Sequence, residues 1–191
     1  MVALLLGLIH QSAPPDLEAV AAQLRKTGAT VQVSNAEDPA WEIWVDHNGP
    51  LNKDTLKPFR GIKRLTALRI FSDDLTDAHL RDIRDNPDLN LLVVMSKKLT
   101  DASMISIAKI GTLTKLDLNK GTWTAKGLRR LSALKKLERL YLYNANIADD
   151  QFSPLAELKQ VKLIDLPKSV SETTLAKLRK ALPNTAINRG P

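Results

Sequence analysis

Leu68, Leu92, Leu116, Leu140 and Ile164 stand 24 positions apart, and this column constrains the 191-residue chain more than any other feature. Two positions later run Ile70, Val94, Leu118, Leu142 and Leu166; three positions earlier run Leu65, Leu89, Leu113, Leu137 and Val161. Each unit therefore carries L-x-x-L-x-L or its apolar equivalent. Residues at i and i+2 of a strand share a face, so the last two positions point into one interior. A unit with a single such strand cannot bury that face alone. Stacked copies bury it together, which makes the expected architecture a repeat solenoid.

The remainder of each unit predicts how the chain leaves the strand. An apolar anchor follows a loop at Leu51, Leu75, Leu99, Trp123, Ile147 and Val170, and Trp123 is expected in the core. The next residue is Asn52, Thr76, Thr100, Thr124, Ala148 or Ser171, and five of these six can cap a helix N-terminus. Asp77, Asp101 and Asp149 come one position later, where an acid suits the positive end of a helix dipole. Apolar residues then recur every third position, as in Met104, Ile107 and Ile110 or Phe152, Leu155 and Leu158. That stripe predicts a narrow helix face laid on the strand layer. His79, in the turn "DAHLRD", is expected to face solvent.

The flanks read as ends of the array. Asp16 opens a helical pattern with Leu17, Val20, Ala21 and Leu24, which Gly28 stops. "TVQVS" and "WEIWV" alternate as two strands. "LRKALPNTAI" ends a helix before Pro183 and offers a last strand at Ile187. The predicted organisation is an apolar N-terminal segment over 1–15, a cap over 16–46, and the repeat array with its C-terminal cap over 47–191. The run Val2–Ile9 is too short to span a bilayer. It reads either as the end of an export signal or as a segment packed on the domain, even as a cover for the strand "LLVVM".

The stretches "LTDAHL", "LTDASM", "WTAKGL", "LTKLDL" and "LERLYL" resemble the 24-residue units of bacterial leucine-rich repeat proteins of the planctomycete type. The leading "LEAVAAQLRKTGATVQV" and the closing "LRKALPNTAI" extend the resemblance over nearly all of the chain after residue 15. It implies an α/β leucine-rich repeat solenoid, right-handed, with parallel strands on the concave side and short helices on the convex side. It also implies a monomeric interaction scaffold rather than an enzyme, and an exported or envelope-associated setting ahead of a cytoplasmic one. One departure is visible. The ninth position, where such repeats place Asn, Cys or Thr, reads Asp73, Lys97, Gly121 and Ala145. The polar ladder is expected to be missing or moved onto Asn119 and Asn144.

Signals for catalysis are weak. The chain has no cysteine, which excludes disulfides, thiol catalysis and Cys-ligated zinc. No phosphate-cradling glycine loop occurs, and His10, His47 and His79 lack metal-ligand spacing. "DHNGPLNKD" has its glycine out of place for a calcium loop and reads as a turn. No cofactor, metal or small-molecule substrate is expected.

The concave face carries the functional expectation. Its outward columns contain Trp44, Arg69, Asp117 and Tyr141; Phe71, Met95 and Tyr143; and Lys115 and Arg139. Four of the eight aromatics fall here, and aromatics, Met and Arg are enriched where proteins meet. These nine residues are the candidate site for a protein partner. The alternative is an acidic partner, a nucleic acid or an anionic envelope polymer. Residues 1–100 hold 12 basic and 13 acidic side chains, whereas 101–191 hold 16 and 8. Lys126, Arg129, Arg130, Lys135, Lys136, Lys177, Arg179 and Lys180 crowd the helices of that basic half.

Overall fold

A computed structural model describes residues 15–37, 40–46 and 51–190. The expectations for Val2–Ile9, as export signal or as cover, lie outside the described residues, as do His10 and His47 to Pro50.

Helix α1 (Pro15–Arg25) opens the described chain and turns at Gly28, whose φ of 88° lies in the left-handed region that glycine enters without a Cβ clash. Strands β1 (Thr30–Glu37) and β2 (Ala40–Asp46) form an antiparallel hairpin. Then come β3 (Leu65–Phe71), β4 (Leu91–Met95), β5 (Lys115–Asn119), β6 (Arg139–Tyr141), β7 (Leu163–Leu166) and β8 (Ala186–Arg189), every one parallel to its predecessor. Among the described residues the strands form one sheet, in chain order from β1 to β8. This is a leucine-rich repeat solenoid.

The strand register aligns the apolar columns. Leu68 pairs with Leu92, Leu92 with Leu116, Leu116 with Leu140, and Leu140 with Ile164. All five are fully buried, as are Ile70, Val94, Leu118, Leu142 and Leu166. One continuous core runs from Leu17 in α1 to Ile187 in β8. Between β2 and β3 the register slips by one residue, Trp41 facing Leu65 but Glu42 facing Ala67. That slip joins the hairpin cap to the regular array within one sheet.

The outer layer departs from the expected helices. It comprises short α-helices, α2 (Ser103–Ile107) and α3 (Ala125–Arg129), the longer α4 (Glu172–Ala181), and 3-10 turns at Lys57–Phe59, His79–Asp82, Arg130–Ala133 and Asp149–Glu157. The spacing accommodates the 3-10 turns, although α2 carries the same spacing in Met104 and Ile107. Apolar residues at every third position stay on one line when a helix has three residues per turn, the 3-10 geometry. Phe152, Leu155 and Leu158 are fully buried on that line.

The acids of "LTDA" do something other than answer a helix dipole. The Asp77 carboxylate accepts from the Thr100 N–H at 2.9 Å and from the Thr100 hydroxyl at 2.7 Å. Asp101 does the same for Thr124 at 2.8 and 2.5 Å. Asp149 accepts from the Ser171 N–H and hydroxyl, both at 2.8 Å, and from the Thr174 hydroxyl at 2.8 Å. Each aspartate thus holds the Thr or Ser of the following unit; Thr124 and Ser171 cap α3 and α4 as expected, whereas the N-cap of α2 is Ala102 rather than Thr100. Bonds from Ser171 and Thr174 hold the Asp149 carboxyl below the usual aspartate range. Where the acid is replaced by Ala125, the following cap is Ala148, so both halves of the pair are missing together. There Gln151 reaches back, its Oε1 accepting from the Ala125 N–H at 2.9 Å. Gly127 has a steric reason as well, because a Cβ on it would lie 2.1 Å from Asp101 Oδ1.

Two further expectations are corrected. His79 is 4% exposed rather than solvent-facing. Its Nε2 lies 2.9 Å from the Asn52 carbonyl oxygen, and its Nδ1 accepts from the Thr76 N–H at 3.0 Å. The ring therefore ties two consecutive units together. The polar ladder is not built on the side chains of Asn119 and Asn144. It falls one position before the expected column, on buried Ser72 and Ser96, whose N–H groups donate to the Met95 and Asn119 carbonyls at 3.2 Å. Their hydroxyls accept from the Asp74 and Lys98 N–H groups, closing each turn. Trp123 is buried as expected, and its indole N–H donates to the Ser103 hydroxyl at 3.0 Å.

Candidate partner-binding face

Side chains that alternate with the buried columns must leave the sheet on its other side. The register sets them in rows. Trp44, Arg69, Val93, Asp117, Tyr141, Asp165 and Asn188 are successive partners across seven strands. Glu42, Ala67, Leu91, Lys115, Arg139 and Leu163 form the row before it, and Phe71, Met95 and Asn119 belong to the row after it.

The two ends of this face differ in kind. Toward the hairpin, contacts are made internally. Trp44 is 43% exposed, with its ring centroid 5.6 Å from that of Phe71. The Arg69 guanidinium lies 5.2 Å over the Trp44 ring and is ion-paired with Glu42. Phe71 and Met95 are half-buried, and Val93 is buried. This end offers a tryptophan edge on an otherwise satisfied surface.

Toward β5–β7 the face opens into a cleft of about 380 Å³, whose lining includes Leu91, Lys115, Asp117, Arg139, Tyr141, Tyr143 and Asp165. Lys115 and Arg139 are exposed register partners and form no salt bridge among the described residues. Asp117 is half-buried, and loss of hydration pushes its carboxyl up from 3.8 to about 6. A hydrogen bond from Asn119 and the charge of Arg69 oppose that rise, while the neighbouring Asp165 adds to it. The Asn119 amide donates to Asp117 at 2.6 Å, and the Asn188 amide donates to Asp165 at 2.9 Å. Tyr143 is 40% exposed, and its phenol is pushed upward first by the Asp117 charge and then by burial.

Six of the nine residues expected from sequence come together around this cleft: Arg69, Lys115, Asp117, Arg139, Tyr141 and Tyr143. Trp44, Phe71 and Met95 share the face but lie on its hairpin side, outside the cleft lining. Sequence reasoning left Asp165, Asn119 and Asn188 out of the site. Asp165 had a readable signal, since it repeats the acid of Asp117 two strands along the same row. Asn188 had none, because the final strand falls out of the regular period. The lining has no histidine, serine or cysteine, and each carboxylate is fixed by an amide. It supplies fixed charge, hydrogen bonds and aromatic edges, which is the chemistry of recognition.

No protein-family model matches the sequence, and a comparison with curated proteins gives no match. Solved leucine-rich repeat structures do align. The TLR13–ssRNA13 complex aligns at 18% identity with a TM-score of 0.42, over 64% of this chain and 18% of that one. Internalin C2 from Listeria monocytogenes aligns at 18% identity and 0.44, over 71% of this chain and 66% of that one. The ectodomain of the receptor kinase SOBIR1 from Arabidopsis thaliana aligns at 11% and 0.40, over 92% and 95%. This chain therefore spans under a fifth of the first and about two thirds of the second.

Proposed function

We propose that the protein is a non-enzymatic scaffold that binds another protein on the concave strand face. The observation that carries this reading is the cleft over β4–β7, where two cations without salt bridges, two carboxylates and two tyrosines share one open surface. Strands lie about 4.8 Å apart, so the rows from β2 to β7 extend roughly 24 Å, the scale of a small protein interface. The cleft's volume is within the range of small-molecule sites, but its exposed charged walls are unlike their enclosed apolar linings. Trp44 and Tyr143 would anchor the partner, and Arg69, Lys115, Asp117 and Arg139 would set its orientation.

The test replaces Trp44 and Tyr143, the two exposed aromatics of the face, by serine. The double variant should melt close to the parent yet lose the proteins that the parent captures from its native lysate. Equal capture by an equally stable variant would move the binding surface elsewhere.

A second reading uses the helical side. Lys126, Arg129, Arg130, Lys135, Lys136, Lys177, Arg179 and Lys180 are all exposed there, a surface suited to a polyanion. Retention on heparin or duplex DNA at low salt, lost steeply as salt rises, is the expected behaviour. Failure to bind either at low salt would end that reading.

A further inference from the structure

The layout of charge in the cleft goes further than the proposal of a concave protein site, on which it rests. Lys115 and Arg139 lie in one row, side by side on β5 and β6. Asp117 and Asp165 lie in the next row, two residues along their strands, with Tyr141 between them. A two-residue step along a strand is about 6.6 Å. Positive and negative rows are thus separated by about the distance between neighbouring side-chain heads of an extended peptide.

The fold neutralises these rows only weakly from within, because Glu138 acts on Arg139 and Lys115 less than on Lys162. Arg69 is the cation acting on Asp117, yet its guanidinium is committed to Glu42 and to the Trp44 ring. Glu138, beside the basic row, is paired with Lys162 at 2.7 Å. Asp117 and Asp165 repel one another, and amides rather than cations hold both in place. The raised Asp117 carboxyl shows that ionising it here works against the surroundings. At the β4 edge the charges give way to half-buried Leu91 and buried Val93.

The geometry points to a partner-protein segment of mixed charge as the occupant: its acidic side chain meets Lys115 and Arg139, its Lys or Arg enters between Asp117 and Asp165, and an adjoining apolar side chain rests on Leu91. The tyrosines flank the entering cation, and a desolvated cation beside an aromatic ring is favourable. Charges paired across a partly dry cleft also reject segments with either sign reversed. Binding depends on pH through Asp117. The groups around it are Arg69 on β3, Lys115 on its own strand, Arg139 and its register partner Tyr141 on β6, Tyr143 just beyond β6 and Asp165 on β7. Protonation of Asp117 below about pH 6 removes half of the acidic row.

The experiment selects displayed random ten-residue peptides on the full chain at pH 7.5, then measures the retained peptides as synthetic ligands. Retained peptides should carry an acidic and a basic residue within a few positions of one another. Changing the peptide's Lys or Arg to Gln should weaken binding about tenfold or more on the parent, and little on the Asp117→Asn/Asp165→Asn variant. Changing its acid to the amide should show the same loss of effect on Lys115→Glu/Arg139→Glu. Affinity for the parent should fall between pH 7 and pH 5. If the basic residue contributes equally on the parent and on the Asn variant, the charge assignment is wrong. If those same peptides still depend on Trp44 and Tyr143, the concave site itself stands. Peptides indifferent to all of these variants, or no peptide at all, would overturn both proposals.

Discussion

Replacing Asp117 with Asn should make the protein more stable at neutral pH, by a margin that shrinks as the pH falls. The carboxyl sits at about 6 in the folded chain, against an ordinary value of 3.8. That difference corresponds to about 3 kcal/mol against the ionised form if the site were dry. Asp117 is only half-buried, and solvent screening reduces the figure to about 1–2 kcal/mol. Because the folded value lies above the unfolded one, the folded state binds the extra proton between about pH 4 and pH 6. Stability from this group therefore falls as pH rises through that window, and the penalty is complete above it. Asparagine keeps the oxygen that accepts from the Asn119 amide and removes the charge. Urea unfolding of both proteins at pH 7.5, 6 and 4.5 measures the difference directly. The variant should gain about 1–2 kcal/mol at pH 7.5 and distinctly less at pH 4.5, which lies inside that window. Asp54, Glu138 and Asp149, whose carboxyls lie below the ordinary range, titrate alike in both proteins and cancel. A gain independent of pH, or a loss at pH 7.5, would show that desolvation of Asp117 is not what strains this cleft.

Asp101→Ala should cost about 1–2 kcal/mol by leaving the Thr124 cap unfilled, and Gly127→Ala should be far more damaging while Asp101 is present than in its absence. A double-mutant cycle in urea reads that coupling; simple additivity would contradict the close contact. His79→Leu should lower stability by about 1–2 kcal/mol, because it strips a buried partner from the Thr76 N–H and the Asn52 carbonyl. Calorimetry showing an unchanged Tm would return His79 to the surface. Asp82 is buried and ion-paired with largely exposed Arg60 at 2.5 Å, so Arg60→Ala, which leaves the buried carboxylate unpaired, should destabilise the protein more than Asp82→Ala, which leaves an exposed guanidinium that water can solvate. Equal losses by urea unfolding would argue against that asymmetry.

The sequence by itself determined the solenoid and which residues fill it. Burial of a repeated face imposes a period, and a period survives in one dimension, so Leu68, Leu92, Leu116, Leu140 and Ile164 could be set side by side before any coordinates. Strand alternation then placed Arg69, Asp117 and Tyr141 in one outward row for the same reason. The sequence also holds the three-residue spacing of the 3-10 turns, which along the chain looks the same as an ordinary helix stripe. What tertiary structure decided were interactions between units, whose partners lie more than twenty residues apart and follow no local rule. Asp101 reaching Thr124, His79 reaching Asn52, and Gln151 standing in where Ala125 and Ala148 leave a gap are all of this kind. The same holds for the cleft. Which charged residues face outward follows from period two, but how far Asp117 is perturbed depends on its burial in the cleft and on Asn119, Arg69 and Asp165 beside it. Hydration is a property of the packed surface in three dimensions, and no spacing along the chain encodes it.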